Sequence, residues 1–284
     1  SSTGAPSPDS AAKDSVAKDS VGKAQRDTTA PRGRKKKIEA ADSVSYAPSD
    51  SLVSVRAGVN RFVWNLRYPD VKHITDIVVD YGTTTGMMVL PGTYSARLTA
   101  GGKSYSQPFT VVNDPRTTVT ASALQAQLAA WSQLRDRLDS TVSAAKHVET
   151  MQEQIDARIK QVKDQPYASR VSSAGKPLRA KLEDVREALV EVHSHADEIT
   201  LHFPVRLYNM MLTLNGQLLT GDAAPTGSEL QSLEELSTKV DAQMAKLHQI
   251  ENIDVGAFNK LMKDLDVPGV TVPVVTAKPP AVVM

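Results

Sequence analysis

The side chains of this sequence best suited to chemistry are its histidines, its carboxylates and one basic run. His193 and His195 lie two apart, with His202 seven further on. On a helix, positions two apart point about 200° away from each other, whereas zinc takes ligands three or four apart or from separate turns. These histidines therefore read as surface or interhelical groups, and His73, His147 and His248 read as isolated. Glu-x-x-His pairs, which facing helices use to hold a carboxylate-bridged metal pair, are absent. So are a glycine-rich phosphate loop, a serine nucleophile elbow and a metalloprotease motif. With no cysteine, disulfides, thiolate metal sites and a cysteine nucleophile are excluded. The expectation is a chain without catalytic, cofactor-binding or metal-binding residues.

Charge points the same way. Glu183, Asp184, Glu187, Glu191, Asp197 and Glu198 alternate with Lys181 and Arg186, the pattern of a solvated helix face with i,i+4 pairs. The 33 basic and 32 acidic residues leave a net charge of +1, which gives no global attraction for nucleic acid. One local exception is Arg32, Arg34, Lys35, Lys36 and Lys37. Asp27, Glu39 and Asp42 flank that run and no aromatic interleaves it, so it reads first as a solvated linker, with docking on an acidic protein surface or anionic headgroups as the functional alternative and no nucleic acid expected. Arg67, set between the apolar Leu66 and Tyr68, reads as an ion-pair or partner contact.

Four segments must position these groups. Residues 1–50 are rich in Ser, Ala, Asp, Lys and Pro, with a tandem Ala-Lys-Asp-Ser-Val at 12–21, and read as a low-complexity arm that orders on a partner. Residues 51–115 carry strand signals. Val53 and Val55, then Phe62, Trp64, Leu66 and Tyr68, alternate with other residues, and Gly101-Gly102 supplies a tight hairpin between Thr93–Thr99 and Tyr105–Val112. Several short strands in so few residues predict a small Ig- or fibronectin-like β-sandwich with Trp64 in its core.

From Thr118 the period changes. Leu124, Leu128, Trp131, Leu134, Leu138, Val142, Ala145, Val148, Met151, Ile155, Ile159 and Val162 recur every 3.5 residues or so, the spacing of a coiled-coil seam. Thr118 or Thr120 caps its start. A second seam runs Leu178, Leu182, Val185, Leu189, Val192, Ala196, Ile199, and the chain is expected to reverse between Asp164 and Lys176. A third helix follows Pro204, a fourth runs from Ser228 along Leu230, Leu233, Leu236, Val240, Met244, Leu247 and Ile250, and a short fifth spans roughly 255–265. Residues 118–265 thus predict an elongated antiparallel helical bundle, and 266–284, alternating Val with Pro, an extended tail. The fold class is α+β and multidomain. No stretch of about 18 apolar residues occurs, so no transmembrane segment is expected.

Three stretches carry a family resemblance: Asn60-Arg61-Phe62-Val63-Trp64-Asn65-Leu66-Arg67-Tyr68-Pro69-Asp70, Leu90-Pro91-Gly92-Thr93-Tyr94-Ser95-Ala96-Arg97-Leu98, and Asp114-Pro115-Arg116 leading into a long helix. Over about residues 50–262 the sequence resembles the C-terminal region of bacterial sortilin-like proteins with BNR-repeat β-propellers, often labelled glycosyl hydrolases. The resemblance implies a β-sandwich and a helical region that follow a propeller. Asn65 stands where that family usually has an acidic residue, and the Ser-x-Asp-x-Gly-x-x-Trp boxes of propeller blades are absent, so none of the family's catalytic residues maps onto this sequence.

The functional expectation is a noncatalytic accessory or scaffold subunit of a larger assembly on the periplasmic side of a cell envelope, of which a respiratory or photosynthetic membrane complex is one instance. Export is expected because such proteins are usually exported and because the sequence begins Ser1-Ser2-Thr3 without a start methionine. The contrasting reading is the substrate-binding portion of an exported glycoside hydrolase-like propeller protein. It calls for exposed aromatic platforms, and two Trp, seven Tyr and four Phe leave few rings beyond those a core consumes.

Overall fold

The computed structural model describes residues 56–74, 81–193 and 203–272. All of them belong to one unit, Tyr46–Met284. The fold is mixed α+β: among the described residues it has helices and one two-stranded sheet.

Helix α1, Ala121–Gln161, is 41 residues and about 60 Å long at the ordinary helical rise. Thr120 caps it, its hydroxyl accepting from the Ala123 amide at 3.2 Å. The seam is buried as its period requires: Trp131, Leu134, Leu138, Val148, Met151 and Ile155 have no exposed surface. The chain reverses within Val162–Tyr167 and α2, Ala168–Leu189, begins at once. The reversal is shorter than expected, because Gly175 and Pro177 lie inside α2 rather than in a loop. Gly175 is there for contact: a Cβ would stand 2.9 Å from the Ile159 side chain and 3.2 Å from that of Ile155, so its absence lets α1 and α2 approach. The predicted continuation of α2 through Ala196 and Ile199 lies outside the described residues.

Helix α3, Leu207–Leu218, buries Tyr208, Met211, Leu212 and Leu218 against α1. Helix α4, Gly227–Gln249, opens with a reciprocal cap: Thr226 Oγ1 accepts from the Glu229 amide, and the Glu229 carboxylate accepts from the Thr226 amide. It continues without a break through a π-helical turn, Ile250–Val255, into α5, Gly256–Asp264. The expected fourth and fifth helices are therefore one rod with a wide turn in it. Beyond it the chain is extended and held by side-chain amides. Asn259 donates to the Val270 carbonyl at 2.8 Å and accepts from its amide at 2.6 Å, and Gln154 accepts from the Thr271 amide at 2.7 Å. The rest of the Pro/Val tail lies outside the described residues.

The N-terminal part differs more from expectation. Its sheet is a single antiparallel pair, β1 Gly92–Ala100 with β2 Lys103–Val111, and one isolated bridge joins Arg67 to Met88. Two facing sheets are not found among the described residues. The alternation at 62–68 does not make a strand, because the Asn65 side chain accepts from the Arg67 amide at 3.1 Å and turns Leu66 to φ +58. Val53 and Val55 lie outside the described residues. Instead of pairing with a second sheet, 66–74 and 81–89 lie as two straps on the helices. Val71 and Met87 join the helical core, and Tyr68 stacks on Trp131 at 5.5 Å. Asn215 accepts from Trp131 Nε1 at 2.9 Å and donates to the carbonyls of Thr83 and Thr85. The contact is close enough that a Cβ on Gly82 would fall 2.3 Å from the Leu212 backbone.

Candidate functional site

The hairpin grows from the second of these straps. Gly101 and Gly102, at φ +55 and +74, form its two-residue turn, the left-handed geometry that suits the twist of the strands. In the pairing, Tyr94 stands opposite Phe109 and Leu98 opposite Tyr105. Alternation puts Tyr94, Ala96 and Leu98 on one face with Phe109, Gln107 and Tyr105, while the other face carries Thr93, Ser95, Arg97 and Thr99 with Thr110, Ser106 and Ser104. The hairpin is thus amphipathic.

Among the described residues its apolar face is covered only at the root. Trp64 meets Tyr94 edge-on at 5.8 Å and Phe109 at 5.9 Å. Its indole N–H donates to the Arg67 carbonyl, and the Tyr94 hydroxyl donates to the Leu90 carbonyl at 2.7 Å. Trp64 is half-buried in this cluster rather than the centre of a sandwich core. Further out the same face is bare: Leu98 is 56% and Tyr105 58% exposed. Phe62, Val63 and Met88, all near the root in sequence, are exposed as well. Pro108 deprives β2 of one amide donor, whereas β1 keeps a full set along its length.

Of the residues expected to meet partners, Arg32, Arg34, Lys35, Lys36 and Lys37 lie outside the described residues. Arg67 is half-buried, and its guanidinium donates to the Gly86 carbonyl at 2.8 Å, so it ties the two straps together.

The titratable groups gather in two places on the helices. Donor atoms of Glu183, Glu187 and His193 lie within 4.8 Å of one another. Each is already engaged: Gln152 donates to Glu183 at 2.5 Å, and His193 Nε2 pairs with Glu187 at 2.8 Å, which raises the histidine's pKa above the ordinary imidazole value. Asp184 is exposed as expected of a solvated face, whereas the cations of α2 pair across helices rather than along it, and Asp197 and Glu198 lie outside the described residues. Lys181 reaches Asp254 at 2.7 Å and Arg186 reaches Glu149 at 2.9 Å, both on neighbouring helical segments, while Glu191 is buried and pairs with Arg206 at 3.3 Å.

The second place was hidden from the sequence. His147 on α1 and His248 near the end of α4 are brought to the two oxygens of one carboxylate, Glu251 on the π-helical turn. His248 Nδ1 is 3.0 Å from Oε2, and His147 Nε2 is 3.4 Å from Oε1. Burial pushes the His147 pKa down, against the opposing pull of Glu251. Residues 104 apart in the chain carry no pattern that joins them, so only the packing reveals the cluster.

No family model, no curated protein and no solved structure matches this chain.

Proposed function

We propose that this protein is a noncatalytic accessory or scaffold subunit of a larger assembly, which it joins through the apolar face of the β1–β2 hairpin. One observation carries the reading: an amphipathic hairpin whose apolar face is covered at Tyr94 and Phe109 and bare at Leu98 and Tyr105. A two-stranded hairpin by itself is marginal in water, and a contiguous bare apolar patch on a projecting element marks an interaction surface. A partner surface laid on this face buries the Leu98–Tyr105 pair. If it also contributes a strand along β1, it extends the sheet to three strands, the size at which a sheet with one apolar face becomes stable.

The assembly we propose lies at a cell envelope, on its periplasmic side, with peripheral rather than integral attachment. No helix among the described residues is long and apolar enough to cross a membrane. The basic run Arg32–Lys37 suits an acidic or anionic surface, each charge contributing about 1 kcal/mol near anionic lipid. The relation to sortilin-like propeller proteins rests on the three sequence stretches alone. A carbohydrate-binding role has less behind it, because Trp64, Tyr94 and Phe109 pack on one another and leave Phe62, Tyr81 and Tyr105 as the exposed rings of this region.

Comparison of the wild-type chain with a Leu98→Lys/Tyr105→Lys variant in extracts of the cells that make it, by native gel and size-exclusion chromatography, tests the reading. The wild type should migrate with a larger complex and the variant as a free chain of unchanged melting temperature. Migration of the wild type as a free monomer throughout would overturn it.

A further inference from the structure

We propose that the hairpin takes an extended acidic segment of another protein, laid as a third strand along β1 between Thr93 and Arg97. This rests on the reading of the hairpin as the surface that meets a partner, and names what that partner brings. The hairpin has two edges, and its register makes them unequal. Opposite residues of an antiparallel pair alternate between exchanging both backbone hydrogen bonds and exchanging none. Pro108 has no N–H and stands opposite Ser95, so that pair is of the second kind. The rest follows by alternation: Tyr94, Ala96 and Leu98 bond inward to β2, while Thr93, Ser95 and Arg97 turn N–H and C=O to the outer edge. Pro108 thereby interrupts the outer edge of β2 and leaves that of β1 whole. Among the described residues no backbone hydrogen bond from outside the hairpin reaches β1.

Charge selects the occupant. From Gly92 to Val111 the hairpin carries Arg97 and Lys103 and no Asp or Glu. Arg97 is exposed, and no carboxylate among the described residues pairs with it. A strand added at a sheet edge gains affinity from main-chain hydrogen bonds and specificity from alternate side chains. On this edge every second side chain lies on the apolar face beside Ala96 and Leu98, and the intervening ones lie beside Thr93, Ser95 and Arg97. The fitting segment therefore alternates apolar with polar residues and carries Asp or Glu opposite Arg97, a favourable cross-strand pair. The β1 strand of a second copy fits poorly, because it brings another arginine and no carboxylate to the edge. Thr99 lies beyond the paired stretch, its hydroxyl joined to that of Ser104 at 3.0 Å.

The test places a diazirine amino acid at Ser95 of the full chain, in the cells that make it, and sequences the captured segment by tandem mass spectrometry. That segment should belong to another protein, alternate apolar with polar residues and carry Asp or Glu within two residues of the attachment point. Association, read by native gel and size-exclusion chromatography, should weaken at least about tenfold in Arg97→Glu, where like charges then face each other. Arg97→Lys, which keeps the charge, should weaken it far less. Ser95→Pro copies onto β1 the block that Pro108 sets on β2 and should abolish association, whereas Ser106→Pro, on the outer edge of β2, should leave it unchanged. Melting temperatures verify the fold of each variant, and Arg97→Glu alters only an exposed side chain. Association lost in Leu98→Lys/Tyr105→Lys but intact in Ser95→Pro and Arg97→Glu would overturn the added strand and leave the apolar-face reading standing. A captured segment that lacks a carboxylate, or that comes from this chain or a second copy of it, would overturn the proposal as well.

Discussion

Asp139 accepts a hydrogen bond from the Lys72 amide at 2.8 Å and so pins the first strap to α1. Burial outweighs that bond and its neighbouring cations and raises the carboxyl pKa above the ordinary aspartate value. A raised folded-state pKa means that the folded chain holds more protons between the ordinary and the raised value, so the Asp139 contribution to stability falls as pH rises through that window. Asp139→Asn keeps an acceptor and removes the charge. Denaturant titrations should show it close to the wild type in acid, with a flatter pH profile, and at least as stable at neutral pH, while Asp139→Ala should lose about 1 kcal/mol for the bond. Gly86 is stricter, because a Cβ there would lie 2.1 Å from the Tyr68 carbonyl oxygen. Gly86→Ala should cost about 3 kcal/mol or more by thermal unfolding. At this scale the sequence was a partial guide. The cap of α1 could be narrowed to Thr118 or Thr120 from their place before a periodic run, and the structure uses Thr120. The turn at Leu66 could not, since the apolar alternation through 62–68 is what a strand shows, and only the Asn65 side chain breaks it.

Among the elements, α1 was legible because a long seam of consistent period has no competing interpretation. The start of α2 was not, because glycine and proline usually punctuate chains, whereas Gly175 serves helix contact and Pro177 is tolerated within the helix. Gly175→Leu should therefore act as overpacking, forcing Ile155 and Ile159 aside and costing roughly 1–3 kcal/mol, with helix content retained by circular dichroism. The hairpin was legible at its tip, where Gly101-Gly102 marks the turn, but its surroundings were not. Strand patterning tells which face is apolar, not whether a second sheet covers it. Replacement of Gly101 and Gly102 by alanine should cost about 1 kcal/mol per residue locally. Amide hydrogen exchange should quicken in β1 and β2 and stay unchanged in α1, α2 and α4, because the hairpin contributes little to the helical core.

For the whole molecule, the central claim is that this is an interaction protein whose cover for the hairpin comes from elsewhere. The candidate site was only half legible for the same reason. The residues at 94, 98, 105 and 109 read as strand positions, but their exposure depends on a fold in which 66–74 and 81–89 pack on Trp131 and Asn215 instead. The basic run is proposed as a separate attachment. Removal of residues 1–50 should weaken recovery of the assembly in a salt-sensitive way and leave the melting temperature of the helical core unchanged. The most direct measurement places a photocrosslinking amino acid at Leu98 or Tyr105, with Thr99 on the opposite face as control, in cells that make the protein. The account predicts one discrete adduct from both apolar-face positions, none from Thr99, and its disappearance in chains carrying Lys at the other apolar-face position. Equal crosslinking from both faces, or none from any, would contradict it.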